Sequence, residues 1–166
     1  MLKTIAQFRI RQIGRFWTIV FDVDGVLTDG SFLYSESGKV LKRFGPHDSE
    51  GAQILSQRHD IKFISADVRG EEITRRRVAD MGFELSIQSA SERVEFIKQI
   101  KSFGVPVAFI GDSTSDIPAL VTADFSMCPS SANNYVKRKV DYVLSTKGGA
   151  GVVEEVARLF CSNHYR

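Results

Sequence analysis

Apolar and polar residues fall in blocks along this chain, and the block lengths separate strands from helices. Residues 17–21, Trp-Thr-Ile-Val-Phe, form a β-branched and aromatic run that reads as a buried strand. Gly and Asp break it across 22–30. Segments 31–34 and 40–44 flank Glu36-Ser37-Gly38-Lys39, which predicts a hairpin with a Gly-containing turn. Helices are expected at 48–58, 71–81, 91–103, 115–122 and 151–160. Asp48 caps the first and Ser91 opens the third, while Gly82 and Gly104 stop the second and third. Short apolar strands are expected at 61–65, 83–87 and 106–110, with weaker ones at 124–127 and 142–144. The start of the chain carries Lys3, Arg9, Arg11 and Arg15 and no acidic residue before Asp22. It lacks the apolar stretch and cleavage site of a targeting peptide and reads as a solvated lead-in to the first strand.

Strands alternating with helical segments of about ten residues predict parallel βαβ units in a layered α/β fold. No repeat, linker or low-complexity segment interrupts the alternation, and the hairpin is the only insertion. The 166 residues are therefore expected to form one domain, 1–166. Hydrophobic content of 43% and charged content of 25% exclude a disordered, collagen-like or coiled-coil chain. A net charge of +2 argues against nucleic acid as a partner. Cys128 and Cys161 show neither metal spacing nor a disulfide framework, so they read as small core residues of a cytoplasmic protein. No apolar run reaches the roughly 18 residues of a membrane span.

In parallel sheets ligands bind beyond the carboxyl ends of the strands. Those ends carry Asp22-Val23-Asp24-Gly25, then Ser65, then Asp112 and Asp116. Asp22 and Asp24 are two apart on an extended chain and lean to one side. Carboxylates that close repel unless a cation compensates them, and Asp112 adds a third. Such a donor set suits Mg²⁺ with a phosphate as co-ligand. Arg93 or Lys98, near the start of the 91–103 helix, would supply the positive side chain for a phosphoryl group. Any one piece alone reads as a turn or a helix cap; their order after successive strand ends points to phosphoryl chemistry.

Phe21-Asp22-Val23-Asp24-Gly25-Val26-Leu27-Thr28 resembles the first motif of the haloacid dehalogenase superfamily of phosphatases. Ile64-Ser65 resembles the second and Gly111-Asp112-Ser113-Thr114-Ser115-Asp116 the fourth. The run Asp24 to Gly30 and the tail Lys147 to Val156 are similar to the small, cap-less phosphatases of 3-deoxy-D-manno-octulosonate 8-phosphate. The resemblance implies a Rossmann-like three-layer α/β/α fold with a mostly parallel sheet, a hairpin flap at 31–44 and no large cap domain. It implies Mg²⁺ held by Asp22, the backbone carbonyl of Asp24 and Asp112. Asp22 would be the nucleophile and Asp24 the acid and then the base. Ser65 and the basic residue would bind the phosphoryl group, and Asp116 would orient that basic residue or a metal-bound water. The implied substrate is a small phosphorylated sugar acid, an octulosonate 8-phosphate or nonulosonate 9-phosphate. Rival readings are a phosphatase of another small phosphate ester, a non-catalytic domain of the same fold, and a phosphoacceptor domain.

Three departures from the family pattern stand out. The usual lysine of the third motif is matched in position by Arg93, with Lys98 the fallback. After Ser65 the usual Gly-Arg is Ala66-Asp67, with Arg69 two residues on. Glu154 stands where relatives often carry arginine. His47 and Asp48 either form a turn and helix cap or touch the sugar acid. Arg75-Arg76-Arg77 reads as a solvated helix face. A hairpin this short does not close a site alone. Phe32, Leu33 and Tyr34 therefore either face a neighbouring subunit, as in the tetramers of the resembling family, or pack on the chain's own core.

Overall fold

The computed structural model describes residues 2–13 and 15–161; residues 1, 14 and 162–166, which the expected domain 1–166 includes, lie outside the described residues. At its centre is β1 (Thr18–Asp22), buried at every position. Its two-sided apolar run matches a strand covered on both faces. On one side β1 pairs in parallel with β4 (Asp60–Ser65), which pairs with the edge strand β5 (Leu85–Ile87). On the other lie β6 (Val107–Ile110), β7 (Phe125–Cys128) and the two-residue β8 (Tyr142–Val143), all parallel. The chain thus reverses its direction of growth at β1, the place where open α/β sheets form a crevice.

Alternate strand residues feed two cores. Ile19, Phe21, Phe63, Ala108 and Ile110 join one, and Val20, Ile64, Val107 and Phe109 join the other. The first is closed by α1 (Leu2–Ile13), α2 (Asp48–Ser56), α3 (Glu71–Asp80) and α7 (Val152–Phe160). The second is closed by α4 (Ala90–Ser102), α5 (Ile117–Thr122) and α6 (Asn134–Lys137). Burying each Ile, Leu or Phe of these cores is worth roughly 1.5–3 kcal/mol. The expected three-layer α/β/α architecture is the one observed. A separate two-stranded hairpin, β2 (Thr28–Ser35) and β3 (Gly38–Phe44), stands between β1 and α2.

Four local readings need correction. The basic lead-in is helical as α1: Ala6 and Ile10, one turn apart, enter the core. Arg9 pairs with Asp141 at 2.9 Å and lies over the Phe125 ring. The short α6 was not expected. The helix of 91–103 starts one residue earlier, because Ser89 caps it in a capping box with Glu92. Asp48 does not cap α2 with its side chain. It is buried, and its Oδ1 accepts the Val153 amide at 3.0 Å, which ties α2 to the start of α7.

Burial pushes the Asp48 carboxyl up from 3.8 to about 6, against the opposing pull of the Val153 amide, and its Oδ2 has no partner. An acid whose folded value is raised favours folding most at low pH; that contribution is lost as pH rises towards the folded value. A shift of two units is worth up to about 3 kcal/mol. Asp48→Asn keeps the Oδ1 acceptor and removes the charge. Its stability relative to the unmutated protein should therefore improve steadily from pH 4 to pH 7 in denaturant titrations. A pH-independent difference would refute this.

Candidate active site

The parallel register places the chemistry. Asp22 pairs with Ile64, and Phe21 with Ile110. Ser65 is therefore one residue beyond Asp22's partner, and Asp112 lies just past the end of β6. After Asp22 the chain turns, with the amides of Val26, Leu27 and Thr28 all directed at the Val23 carbonyl. This turn lifts Asp24 off the strand. Gly25 has φ +85, and a Cβ on it would lie 2.0 Å from Asp112 Oδ2. Only glycine lets the turn and Asp112 approach this closely. The tail supports the turn from behind: a Cβ on Gly148 would meet the Gly25 carbonyl at 2.0 Å, and the Gly149 amide donates to the Val26 carbonyl at 3.0 Å.

A cavity of about 410 Å³ opens here, lined by Asp22, Asp24, Lys39, Asp67, Arg93 and Asp112 among others. Its charged groups form two networks. The inner one holds Asp22, Asp112 and Asp116, which offer carboxylate oxygens within 4.8 Å of one another. Arg93, buried on α4, bridges Asp22 at 2.9 Å and Asp116. Asp116 Oδ2 accepts the amides of Asp112 at 3.2 Å and Ser113 at 3.0 Å, and the Ser113 hydroxyl at 2.8 Å.

Three carboxylates against one guanidinium leave two negative charges uncompensated in a buried setting. Two of the three carboxyls, Asp22 and Asp112, are shifted upward. Burial, then the Asp116 charge, hold Asp22 well above the usual carboxylate range, and the same two causes raise Asp112 to about 6. An all-oxygen donor set with surplus negative charge fits a hard divalent cation. The expected ligands Asp22 and Asp112 belong to this cluster, and Asp116 joins them as a third carboxylate.

The outer network belongs to Asp24. Ser65 donates to its Oδ2 at 2.9 Å, and Lys42 of β3 approaches its Oδ1 at 2.7 Å. Lys42 also reaches Asp67 at 2.8 Å, and Lys39 pairs with Asp67 as well. Burial works against ionising Asp67, but hydrogen bonds and charge from the two lysines outweigh it and hold the carboxyl at about 2. The additional acid after the second motif is thus neutralised by the hairpin. Neither lysine was identified from the sequence. The signal was there in Lys39 and Lys42 flanking a β-bulge, but the bulge itself is invisible in the pattern.

Other expected residues lie elsewhere. Lys98 is exposed and pairs with Glu95 at 2.8 Å, so Arg93 occupies the place at the site. His47 and Arg69 are exposed, and neither they nor the buried Asp48 line the cavity. Glu154 pairs with Arg158 along α7. Of the three consecutive arginines, Arg75 and Arg76 pair with Glu71 and Asp80 on the exposed face. Arg77 instead donates to the Gly45 carbonyl at 3.2 Å. Phe32, Leu33 and Tyr34 remain exposed rather than packing on the core.

An acidic cluster and a basic side chain at the carboxyl edge of a parallel α/β/α sheet, with no large cap among the described residues, fit the haloacid dehalogenase class of phosphatases. No family model matches the chain. It is 36% identical over 143 residues to the 3-deoxy-D-manno-octulosonate 8-phosphate phosphatase of Haemophilus influenzae, covering 84% of this chain and 79% of that protein. It is 28% identical over 145 residues to the Escherichia coli K12 protein of the same name, covering 85% and 77%. The solved cobalt-bound form of the Haemophilus influenzae phosphatase superposes with a TM-score of 0.79 at 32% identity, over 91% of this chain and 90% of that one. The chain belongs to the family of 3-deoxy-D-manno-octulosonate 8-phosphate phosphatases and is a phosphatase.

Arg93→Met would leave Asp22 and Asp116 buried without their shared cation. It should cost about 3–5 kcal/mol in denaturant titrations with chelator present. Lys98→Ala, on the solvent face, should stay within about 0.5 kcal/mol. Equal effects would show that Arg93 is not the central counter-charge.

Proposed function

We propose that the chain hydrolyses the terminal phosphate of a 3-deoxy-2-keto sugar acid, an octulosonate 8-phosphate or a nonulosonate 9-phosphate, with Mg²⁺ as cofactor. The observation that carries this reading is the inner carboxylate cluster, short of positive charge and open to the cavity. The names of the relatives support the octulosonate ester. Asp22, the Asp24 carbonyl and Asp112 would hold the ion. When bound, it supplies positive charge that screens an anionic nucleophile from an anionic phosphate.

The chain's own residues carry the steps. An Asp22 oxygen attacks phosphorus, forming an aspartyl phosphate as the ester P–O bond breaks. Asp24 gives a proton to the departing alkoxide. It then takes one from the water that attacks the same phosphorus, releasing phosphate and restoring Asp22. Arg93 and Ser65 bind phosphoryl oxygens, and Asp116 holds Arg93 in place. In this reading residues 1–166 act as one cytoplasmic hydrolase domain with the hairpin as its flap. His47, Asp48 and Arg69 have no part in the cavity as it stands. Among the described residues no helix is long and apolar enough to cross a membrane.

The exposed hairpin face supports a homo-oligomer, a tetramer in this reading. Leu33 and Leu41 are 61% and 57% exposed beside Phe32 and Tyr34, a patch that commonly marks an interface. Leu33→Glu combined with Leu41→Glu should reduce the mass measured by light scattering to that of a monomer. An unchanged mass would exclude this face.

The activity test is phosphate release from octulosonate 8-phosphate, nonulosonate 9-phosphates, nucleotides and p-nitrophenyl phosphate, with Mg²⁺ or with chelator. Release should require Mg²⁺ and favour one sugar acid. Asp22→Asn should lower it by at least about 10³-fold without unfolding the protein. Undiminished turnover by Asp22→Asn would refute the mechanism.

A further inference from the structure

The geometry points to Lys42 as a positioning residue for Asp24, tying the orientation of the acid–base group to the seating of the hairpin flap. This rests on the reading that Asp24 works at the reacting phosphate. Lys42 does not line the cavity, and its side chain is 1% exposed. Its ammonium sits behind Asp24 and meets three acceptors from three parts of the chain. These are Asp24 Oδ1 at 2.7 Å, Asp67 Oδ2 at 2.8 Å and Thr74 Oγ1 at 2.8 Å. It donates a hydrogen bond to Thr74 and makes ion pairs with both carboxylates.

The acceptors are themselves anchored. Thr74 is fully buried on α3, and its hydroxyl donates to the Gly70 carbonyl at 3.1 Å. Asp67 Oδ1 accepts the Gly70 amide at 3.1 Å, and the Asp67 amide donates to Ser65 Oγ at 3.0 Å. Asp24 is therefore gripped at both oxygens, by Ser65 from β4 and by Lys42 from the hairpin. A hydroxyl has one proton to donate, so when Ser65 turns to a phosphoryl oxygen Lys42 is the contact that still holds the Asp24 carboxylate.

The bulge in the hairpin makes this possible. Leu33 pairs with Leu41, but Tyr34 pairs with Lys39, so β3 carries one extra residue at Val40. Without it Lys39 and Lys42 would face opposite sides of the ribbon. With it both ammoniums reach Asp67, and Lys39 also sits 4.3 Å from the Phe32 ring centre. A buried charge with three fixed partners tolerates little drift, so a flap that lifts must break the Lys42 contact to Asp24.

A double-mutant cycle between Lys42→Met and Asp24→Asn tests this, with thermal melts as a check on folding. Octulosonate 8-phosphate and p-nitrophenyl phosphate are the substrates, because an activated leaving group keeps Asp24→Asn measurable. Lys42→Met should lower kcat on the sugar acid by about 10- to 100-fold. KM should stay within about twofold, since Lys42 does not touch the cavity. Added to Asp24→Asn it should cost less than about threefold more. Lys42→Arg, which keeps the charge, should recover part of the loss. A full additional loss on the Asp24→Asn background, or a loss confined to KM, would overturn the proposal. If Lys42→Met fails to fold, Thr74→Val removes one acceptor and leaves the cavity untouched. It should lower kcat by about threefold to tenfold, again without adding to Asp24→Asn, and an unchanged kcat would overturn the proposal. Asp24→Asn alone should hurt the sugar acid more than the aryl ester. Absence of that bias would refute the acid–base role of Asp24, while the coupling would still decide Lys42.

Discussion

The Arg93 guanidinium, buried between Asp22 and Asp116, is the contact on which the site depends. It offsets one of three negative charges that the fold forces together at the sheet edge. No offset at all would force protons onto the carboxylates. The structure combines one fixed cation and two raised acids with a cavity that opens beside them. The family lysine would give the same charge through a single ammonium. Arginine instead divides its donors between two acids, so Asp22 and Asp116 are set by one rigid plane.

The fold was legible because its strands are buried on both faces and end abruptly in polar residues. The step from Phe21 to Asp22, and from Ile110 to Gly111-Asp112, marks a strand end as clearly as it marks chemistry. Gly82 and Gly104 stop their helices where the sequence indicated, both at positive φ. The basic start of the chain misled for a physical reason. Among the residues of this helix whose burial is described, Ala6 and Ile10 enter the core, and the cations around them obscure so narrow an apolar stripe. Arg9 serves the core through its charge and its stem rather than by being apolar.

The site was legible at its strand ends, Asp24 and Ser65 of the outer network included, but not in Lys39 and Lys42. Asp22, Asp112, Asp116 and Arg93 follow from strand ends and a helix start, which sequence order determines. The two lysines depend on a bulge, a feature of pairing that no residue spells out. Asp67 therefore stood out only as a departure from the family pattern, while the hairpin supplies its counter-ions. Asp48 misled in the opposite sense: its place before a helix looked like a cap, while its carboxyl joins two helices and does not line the cavity.

The bulge at Val40 has a consequence for how this segment can vary. Side chains on a ribbon change sides with every residue gained or lost, so parity matters more than length. The turn at the hairpin tip can be exchanged or lengthened without disturbing the two ammoniums. Between Lys39 and Lys42, a single deletion would send one of them to solvent, whatever residues remained. This short stretch is thus held to an odd-even rule, and drift there is tolerated in composition but not in count.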